Sequence, residues 1–329
     1  MEVTQQSTKP KALIIYHRVD YDGVFSGIIA KKVLEDKTDA VVLGLDYSDD
    51  AEKRLFSKSF EGFENIIMVD ISLKPEDMVR LFTICKEKGI NFTWIDHHIT
   101  AIEDSQKYGY DTLPGLRCVG TAAVELTWEY FVECGSPLFI KLLGAYDVWD
   151  KIRFNWEDVV LPLQVGLKAE YGLNFPSLFK DFEELLSKDN FWKIVEGGRL
   201  VRKFQKTEWA SAARNSSFPV NLIVGDKSFK GQGILSHVFS SNIFQSLLEK
   251  EDCDLDFVCV LNQTNSKLDE FGRPMYKISM YSEGKSEELS CGDVCKALYN
   301  GGGHENAAGG FMTQEQFVEF INNREITCL

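Results

Sequence analysis

The chain has 329 residues, of which 44% are hydrophobic, and its formal net charge at pH 7 is -14. This length is enough for two domains with separate hydrophobic cores. The acidic surplus argues against a protein that binds long duplex nucleic acid, because no basic surface is available to displace counterions. A short anionic ligand remains compatible with it, since a bound divalent cation can invert the local charge.

The N-terminal residues and the cysteines indicate the cellular compartment. Residues 1–17 lack the basic start and long apolar stretch of a signal peptide, and no apolar run is long enough to span a bilayer. The eight cysteines are scattered, without the paired spacing of a zinc site. These features favour a cytoplasmic protein with no membrane partner. The oligomeric state stays open, a homodimer included.

Short apolar runs alternate with helical patterns in the first hundred residues. Because this βαβαβ order is typical of parallel sheets, we expect a sheet with helices on both faces. The predicted strands are 12–16, 41–44, 65–70 and 90–95, and the predicted helices are 23–36 and 74–89.

The remainder of the chain predicts a helical region and then a second, smaller α/β unit. Residues from about 120 to 213 are expected to be mainly helical. The second unit is predicted to have strands at 218–225, 255–261 and 275–282, and helices at 236–250 and 291–300. The predicted fold class is therefore α/β, with a first domain at 1–195, a linker helix at 196–215 and a C-terminal domain at 216–329.

Polar residues follow three of the predicted strands. They are His17, Asp20 and Asp22 after the first strand, Asp70 at the end of the third, and Asp96, His97 and His98 after the fourth. A lone Asp at a strand end usually caps a turn or a helix. Three such endings favour a metal site instead, because the carboxyl ends of parallel strands share one edge, where ligands bind. Carboxylates and imidazoles without thiolate suit Mn²⁺, Mg²⁺ or Fe²⁺ better than structural zinc.

The segment NGGGHENAAGG, residues 300–310, follows the last predicted helix. Glycines let the backbone approach a ligand closely and expose N–H groups to an anion. A flexible loop is the alternative interpretation. The histidine that ends the glycine run favours an anion-binding turn made of Gly301, Gly302, Gly303 and His304.

Four segments, in the order VDYDG, MVDIS, IDHH and GGGHENAAGG, resemble the motifs of the DHH phosphoesterase superfamily with its DHH-associated C-terminal domain. The resemblance covers nearly the whole chain. Relatives of this two-domain size include nanoRNases that degrade very short RNAs, phosphatases of 3′-phosphoadenosine 5′-phosphate and cyclic dinucleotide phosphodiesterases. RecJ exonucleases and some polyphosphate hydrolases belong to the wider superfamily.

The resemblance implies a site for two metal ions, usually Mn²⁺, with Mg²⁺ as the alternative. Asp20 and Asp22 would each hold one ion, Asp70 would bridge them and His97 would ligate the second. Asp96 and His98 are the catalytic residues implied, His98 facing the substrate phosphate and Asp96 supporting the site. A further ligand would be Asp147, with Asp150 as the weaker candidate, and the turn at His304 would hold the substrate phosphate.

Two positions depart from the family pattern. Compact relatives have a ligand histidine four residues before the first Asp of the first motif, where this chain has Tyr16; His17 comes one residue later. We nevertheless include His17 among the predicted ligands. Many relatives also carry a substrate-binding Arg in a strand of the second domain, and the matching position here is Tyr281. This exchange points to base stacking or to a different substrate.

The predicted function is a Mn²⁺-dependent phosphoesterase that hydrolyses short oligonucleotides or small nucleotides with a water activated by two metal ions. A polyphosphate-type phosphoanhydride hydrolase is the main alternative. A RecJ-like single-strand exonuclease is disfavoured by the acidic charge. A catalytically silent nucleotide-binding relative is disfavoured because it would have no need for metal ligands.

Overall fold

The computed structural model describes residues 9–47, 50–132, 134–237, 241–244, 253–282 and 289–328. The chain divides into two compact units, Met1–Arg202 and Lys203–Leu329. Each unit combines a β-sheet with helices, so the predicted two-domain α/β fold class is confirmed. Among the described residues, every helix is too short or too polar to cross a bilayer.

The first unit is built on a four-stranded parallel sheet with the strand order β2-β1-β3-β4. Its strands agree with the predicted ones to within two residues at each end. They are β1 (Lys11–His17), β2 (Asp39–Leu45), β3 (Phe63–Val69) and β4 (Asn91–Ile95). The helices among them are α1 (Tyr21–Leu34), α2 (Ala51–Phe56), α3 (Pro75–Lys88) and α4 (Ile99–Tyr108). The sequence patterns predicted α1 and α3 but neither α2 nor α4.

Both faces of this sheet are covered, because alternate residues of β1 enter different cores. Ile14 and Tyr16 pack with α1 and with later helices, while Leu13 and Ile15 pack with residues of α3. The signals that predicted the bounds of α3 act as expected. Pro75 lies in its first turn, and Gly89 ends it in a left-handed conformation with φ of 68°.

The helical region packs on one face of the sheet and then continues into a long helix. A π-helical turn, Trp156–Val160, leads directly into α7. The helices are α5 (Ala123–Val132), α6 (Leu138–Asp147), α7 (Leu161–Glu170), α8 (Phe175–Lys180), α9 (Phe182–Leu186) and α10 (Lys188–Asn215). The boundary between the two units falls within α10.

The second unit contains a seven-stranded mixed sheet with the order β11-β5-β6-β7-β8-β10-β9. Its strands are β5 (Phe218–Val224), β6 (Lys227–Leu235), β7 (Phe257–Leu268), β8 (Pro274–Tyr281), β9 (Gly302–His304), β10 (Ala307–Met312) and β11 (Glu325–Cys328). Its helices are α11 (Cys291–Leu298) and α12 (Gln314–Asn323). The helix predicted at 236–250 lies mostly outside the described residues, and residues 241–244 form a 3₁₀ turn.

Candidate metal centre

The parallel sheet brings the predicted strand ends together. In the register of the sheet, Tyr16 lies beside Val69, and Val69 beside Ile95, so β1, β3 and β4 end level with one another. His17, Asp70 and Asp96 come at or directly after these ends. The strand order also reverses between β1 and β3, which is the position where open α/β sheets bind ligands.

The turn between β1 and α1 forms the first group of potential ligands. Asp20 caps α1, its Oδ1 accepting a hydrogen bond from the N–H of Gly23 at 2.9 Å. Its Oδ2 lies 2.9 Å from Nδ1 of His17, which in turn lies 3.5 Å from Oδ2 of Asp70. A Cβ at Gly23 would lie 2.2 Å from the carbonyl oxygen of His17, so only glycine permits this turn. His17, Asp20 and Asp70 are close enough to hold one metal ion.

The second group combines residues from distant parts of the chain. Nε2 of His97 lies 3.6 Å from Oδ2 of Asp22 and 3.3 Å from Oδ2 of Asp147, the last residue of α6. The buried Asp22 carboxylate accepts hydrogen bonds from the N–H groups of Ala123 and Val124, at 2.9 and 2.8 Å. These N–H groups open α5 and have no partner within that helix, so the helix start fixes the carboxylate.

Asp70 connects the two groups, and together with His97 and His98 it forms a third set that is close enough to hold a metal ion. Its Oδ2 faces His17, whereas its Oδ1 lies 3.2 Å from Nε2 of His97. Its backbone has φ of 57°, in the left-handed region, and its N–H donates to the carbonyl of Ile95 at 3.0 Å. A non-glycine residue in this conformation often marks a functional site. One carboxylate therefore presents one oxygen to each group.

The histidines of this cluster offset part of the negative charge of its carboxylates. Burial, followed by the charges of Asp70 and Asp147, raises the pKa of Asp22 well above its usual value. Burial and the charge of Asp70 raise the pKa of Asp147 to about 6, against the opposing effect of His97. Burial alone would raise the pKa of Asp70, but contacts with His17 and His97 lower it to about 2. The carboxylates need positive charge nearby.

The residues present fit a divalent metal ion. Within the part of the chain that the structure describes, three buried atoms of the two ligand groups lack a hydrogen bond of good geometry. They are both ring nitrogens of His17 and Oδ1 of Asp70. Buried polar atoms normally have a partner. Carboxylate oxygens and imidazole nitrogens are both common ligands of divalent metal ions in proteins.

Asp96 and His98 form a hydrogen-bonded pair beside these groups. The fully buried Oδ1 of Asp96 accepts hydrogen bonds from the backbone N–H of His97 at 2.7 Å and of His98 at 3.1 Å. Nδ1 of His98 lies 2.7 Å from the same oxygen and donates to it when this nitrogen carries a proton. Asp96 thus fixes both histidines of the IDHH segment, and this hydrogen bond raises the pKa of His98.

The site includes two residues that the sequence argument missed. Oδ1 of Asp46 lies 3.8 Å from Nε2 of His17. The ring of Tyr47 lies 5.3 Å from that of His17 and 6.2 Å from that of His98, and its hydroxyl accepts a hydrogen bond from the N–H of Ser72. Both residues directly follow β2. The sequence therefore has polar residues after a fourth predicted strand, and this signal could have identified them.

Asp150, the weaker candidate for the helical-region ligand, points elsewhere. Its Oδ1 accepts hydrogen bonds from the N–H groups of Ile152 and Arg153, at 3.1 and 2.9 Å. Its side chain therefore closes a turn, and among the described residues the ligand group contains Asp147 instead.

The glycine-rich segment of the second unit forms a β-hairpin, β9–β10, where the sequence predicted an anion-binding turn. Close packing explains two of its glycines, because a Cβ at Gly301 would lie 1.9 Å from the carbonyl oxygen of Gly309, and one at Gly303 would lie 2.5 Å from that of Ala307. Gly302 and His304 are exposed. Ala307 pairs with His304 on one side and with Tyr281 on the other, which puts these side chains on one face of the sheet. Phosphate binding by this segment stays a prediction.

No protein-family model matches this chain, and no curated protein matches its sequence. Several solved structures are similar over most of its length, among them the following three. An uncharacterized protein from Helicobacter pylori G27 is 15% identical, with a TM-score of 0.43, covering 95% of this chain and 99% of its own. An exopolyphosphatase-related protein from Bacteroides fragilis is 15% identical, with a TM-score of 0.45, covering 96% and 91%. CDC45 from Entamoeba histolytica is 9% identical, with a TM-score of 0.48, covering 95% and 94%. At such values these likenesses do not assign the chain to a family.

Proposed function

We propose that this protein is a divalent-metal-dependent phosphoesterase that hydrolyses short oligonucleotides or small nucleotides. The observation that carries the proposal is a pair of potential ligand groups connected by Asp70, which belongs to the first group and contacts His97 of the second. The preferred ion is Mn²⁺, with Mg²⁺ as the alternative. His17, Asp20 and Asp70 would hold one ion, and Asp22, Asp70, His97 and Asp147 the other.

Metal ions bound at these positions would polarise a phosphoryl group and would lower the pKa of a bound water molecule towards neutrality. The chain's own residues prepare the site for that chemistry. The start of α5 holds Asp22 in place, and the backbone around β3 and β4 holds Asp70. Since these groups are fixed before substrate arrives, little reorganisation is needed during reaction.

His98 is proposed to bind the substrate phosphate. Its Nδ1 is occupied by Asp96, which orients the ring and favours the protonated imidazole. In the protonated form, Nε2 carries a proton that can be donated to a phosphoryl oxygen. Asp96 acts through His98 and is therefore a positioning residue.

A substrate panel with added Mn²⁺ tests the proposal. It includes dinucleotides, 5-mers, 3′-phosphoadenosine 5′-phosphate, cyclic dinucleotides and inorganic polyphosphate, with products separated by chromatography. We expect turnover of at least one small nucleotide and none after chelation. Cleavage of polyphosphate alone would instead identify a phosphoanhydride hydrolase, and faster cleavage of long single strands would identify an exonuclease. No turnover of any compound with metal bound would contradict the proposal.

A further inference from the structure

Three aromatic side chains lie around the end of α6. They are Tyr146, Trp149 and Trp156, here called the aromatic platform. Their ring centroids are 5.4 to 6.4 Å apart, and their planes are inclined by no more than 28°. Trp156 is buried in the core, whereas Tyr146 is 37% exposed and Trp149 is 65% exposed. An anchored ring thus supports two rings that reach the surface.

The backbone holds Trp149 in this exposed position. Its φ is 55°, a left-handed conformation that a bulky residue rarely adopts unless its surroundings impose it. The N–H of Trp149 donates to the carbonyl of Tyr146 at 3.3 Å, and that of Asp150 donates to the carbonyl of Ala145 at 2.9 Å. The Asp150 carboxylate then closes the turn that follows. The indole is therefore presented by a fixed turn.

The platform borders the candidate metal centre. Asp147 lies next to Tyr146 in the chain and two residues before Trp149, so its Cα and that of Trp149 are at most about 7 Å apart. Oδ2 of Asp147 lies 3.3 Å from Nε2 of His97. A ligand with a phosphate at the metal centre and a planar group attached nearby would reach both.

The chemistry of the platform fits a nucleobase. Every base has a flat π-face that stacks on aromatic rings, and such stacking tolerates differences in sequence. Nζ of Lys151 lies 5.0 Å from the centroid of Trp149 and adds a positive charge that suits an anionic nucleotide. We propose that Tyr146 and Trp149, supported from the core by Trp156, bind the base of the nucleotide whose phosphate occupies the metal centre. This inference rests on the proposed function and narrows the substrate to base-containing phosphates.

The test compares two ligands that differ only in the base. Calorimetry on the full chain with added Mn²⁺ measures the Kd of adenosine 5′-monophosphate and of ribose 5-phosphate. Since stacking on one aromatic residue changes base affinity by about 5- to 150-fold, we expect the nucleotide to bind that much more tightly. Trp149→Leu should remove most of this difference, while Trp149→Phe, which keeps a ring, should retain it. Leu200→Ala removes an apolar side chain of similar exposure from α10 and should leave the difference intact.

Equal affinities of wild type for the two ligands, or an unchanged difference in Trp149→Leu, would overturn the proposal. So would an effect of Trp149→Leu on sedimentation of the ligand-free protein without an effect on base binding, since the rings would then be a self-association surface. The proposed hydrolase activity is measured separately with the substrate panel. Base-dependent binding without turnover would support the aromatic platform as a base-binding site and reject the hydrolase activity. Turnover without base-dependent binding would support the hydrolase activity and reject the platform as a base-binding site.

Discussion

Asp70 connects the two halves of the candidate metal centre, and its backbone adopts an unfavourable conformation to do so. A non-glycine residue in the left-handed region is less stable by about 1–3 kcal/mol than in an ordinary conformation. The flanking strands impose it, since the N–H of Asp70 is bonded to β4. In return, the carboxylate leaves β3 with one oxygen directed to each ligand group.

Asp70→Asn should weaken metal binding, because the side chain could then serve only one of the two metal positions. Asparagine tolerates the left-handed backbone, but its amide has one acceptor oxygen and one donor nitrogen, so it can serve only one group. We expect wild type to bind about two Mn²⁺, and the variant to bind fewer, with affinity weakened at least about tenfold and turnover lost. Metal analysis and titration measure both. Asp39→Asn, at the opposite edge of the sheet, is the control, and unchanged stoichiometry in Asp70→Asn would remove Asp70 from the site.

His17 should make the stability of the metal-free protein depend on pH. Burial opposes its protonation, but contacts with Asp20 and Asp70 outweigh this and raise its pKa from 6.5 to about 10. Because the pKa of His17 is higher in the folded than in the unfolded chain, protonation of its imidazole stabilises the fold. This contribution is fully present below pH 6.5 and is lost as the pH rises towards 10. His17→Asn should therefore be less stable than wild type at pH 6, by at least about 1.4 kcal/mol, the value of one pKa unit.

The measurement is urea unfolding in the presence of a chelator between pH 6 and 9.5. The difference between wild type and His17→Asn should shrink as the pH rises. A difference that stays constant would show that the imidazole contributes packing and no charge. Because a metal needs the unprotonated ring, Mn²⁺ affinity of wild type should rise over the same range.

At the scale of elements, the packing of α7 on α10 depends on a pair of glycines. A Cβ at Gly198 would lie 1.8 Å from the carbonyl oxygen of Pro162, and one at Gly166 would lie 2.1 Å from that of Ile194. The two helix backbones are therefore in direct contact. Gly197, next along α10, is exposed and has open space around its Cβ position.

These neighbours give a matched pair of variants. Gly198→Ala must push the helices apart, and overpacking of this kind destabilises a fold by about 1–3 kcal/mol. Gly197→Ala meets no atoms and should stabilise α10 by up to about 1 kcal/mol. Differential scanning calorimetry should show the two transition temperatures moving in opposite directions. A similar shift for both variants would mean that α10 moves freely on α7.

The local part of this architecture could be predicted from the sequence. Alternating apolar runs located the strands, and parallel topology then required His17, Asp70 and Asp96 to share an edge. Contacts between distant segments carry no such signal. Asp22 is held by the N–H of Ala123, 101 residues away, and no pattern near either residue indicates it. The hairpin β9–β10 was not predicted, because a run of glycines lacks the alternating apolar pattern that indicates strands.

The choice between Asp147 and Asp150 shows the same limit of sequence-based prediction within one short segment. The segment GAYDVWD offers two acids, and their spacing alone does not decide between them. The choice depends on where α6 ends relative to His97, which is a property of the packed helices. Trp149 also looks like an ordinary core residue in the sequence, because its exposure follows from a backbone conformation that no sequence pattern indicated.

At the scale of the whole molecule, net charge sets what can approach the site. The chain carries 50 acidic and 36 basic residues. A protein that follows a long nucleic acid strand needs a basic track, and its binding weakens as salt is added. A dinucleotide brings few phosphates towards the protein, whereas a 20-mer brings many into a repulsive field.

We therefore expect kcat/KM to fall steeply from dinucleotides to strands longer than about ten nucleotides, because each added phosphate meets net negative charge without a basic track to offset it. Rates on 2-, 5-, 10- and 20-mers of one sequence, at fixed Mn²⁺ and physiological salt, measure the fall. Varying the ionic strength tests whether charge causes this fall in kcat/KM. Raising the ionic strength from 0.01 M to 0.15 M shortens the Debye length from about 30 Å to about 8 Å. Electrostatic discrimination against the 20-mer should therefore be strongest at low salt and should shrink as salt is added. A nuclease with a basic track would show the opposite trend. Equal or faster digestion of the 20-mer, with rates that fall on adding salt, would reject the preference for short substrates and would mean that positive charge is concentrated along a path that the net charge conceals.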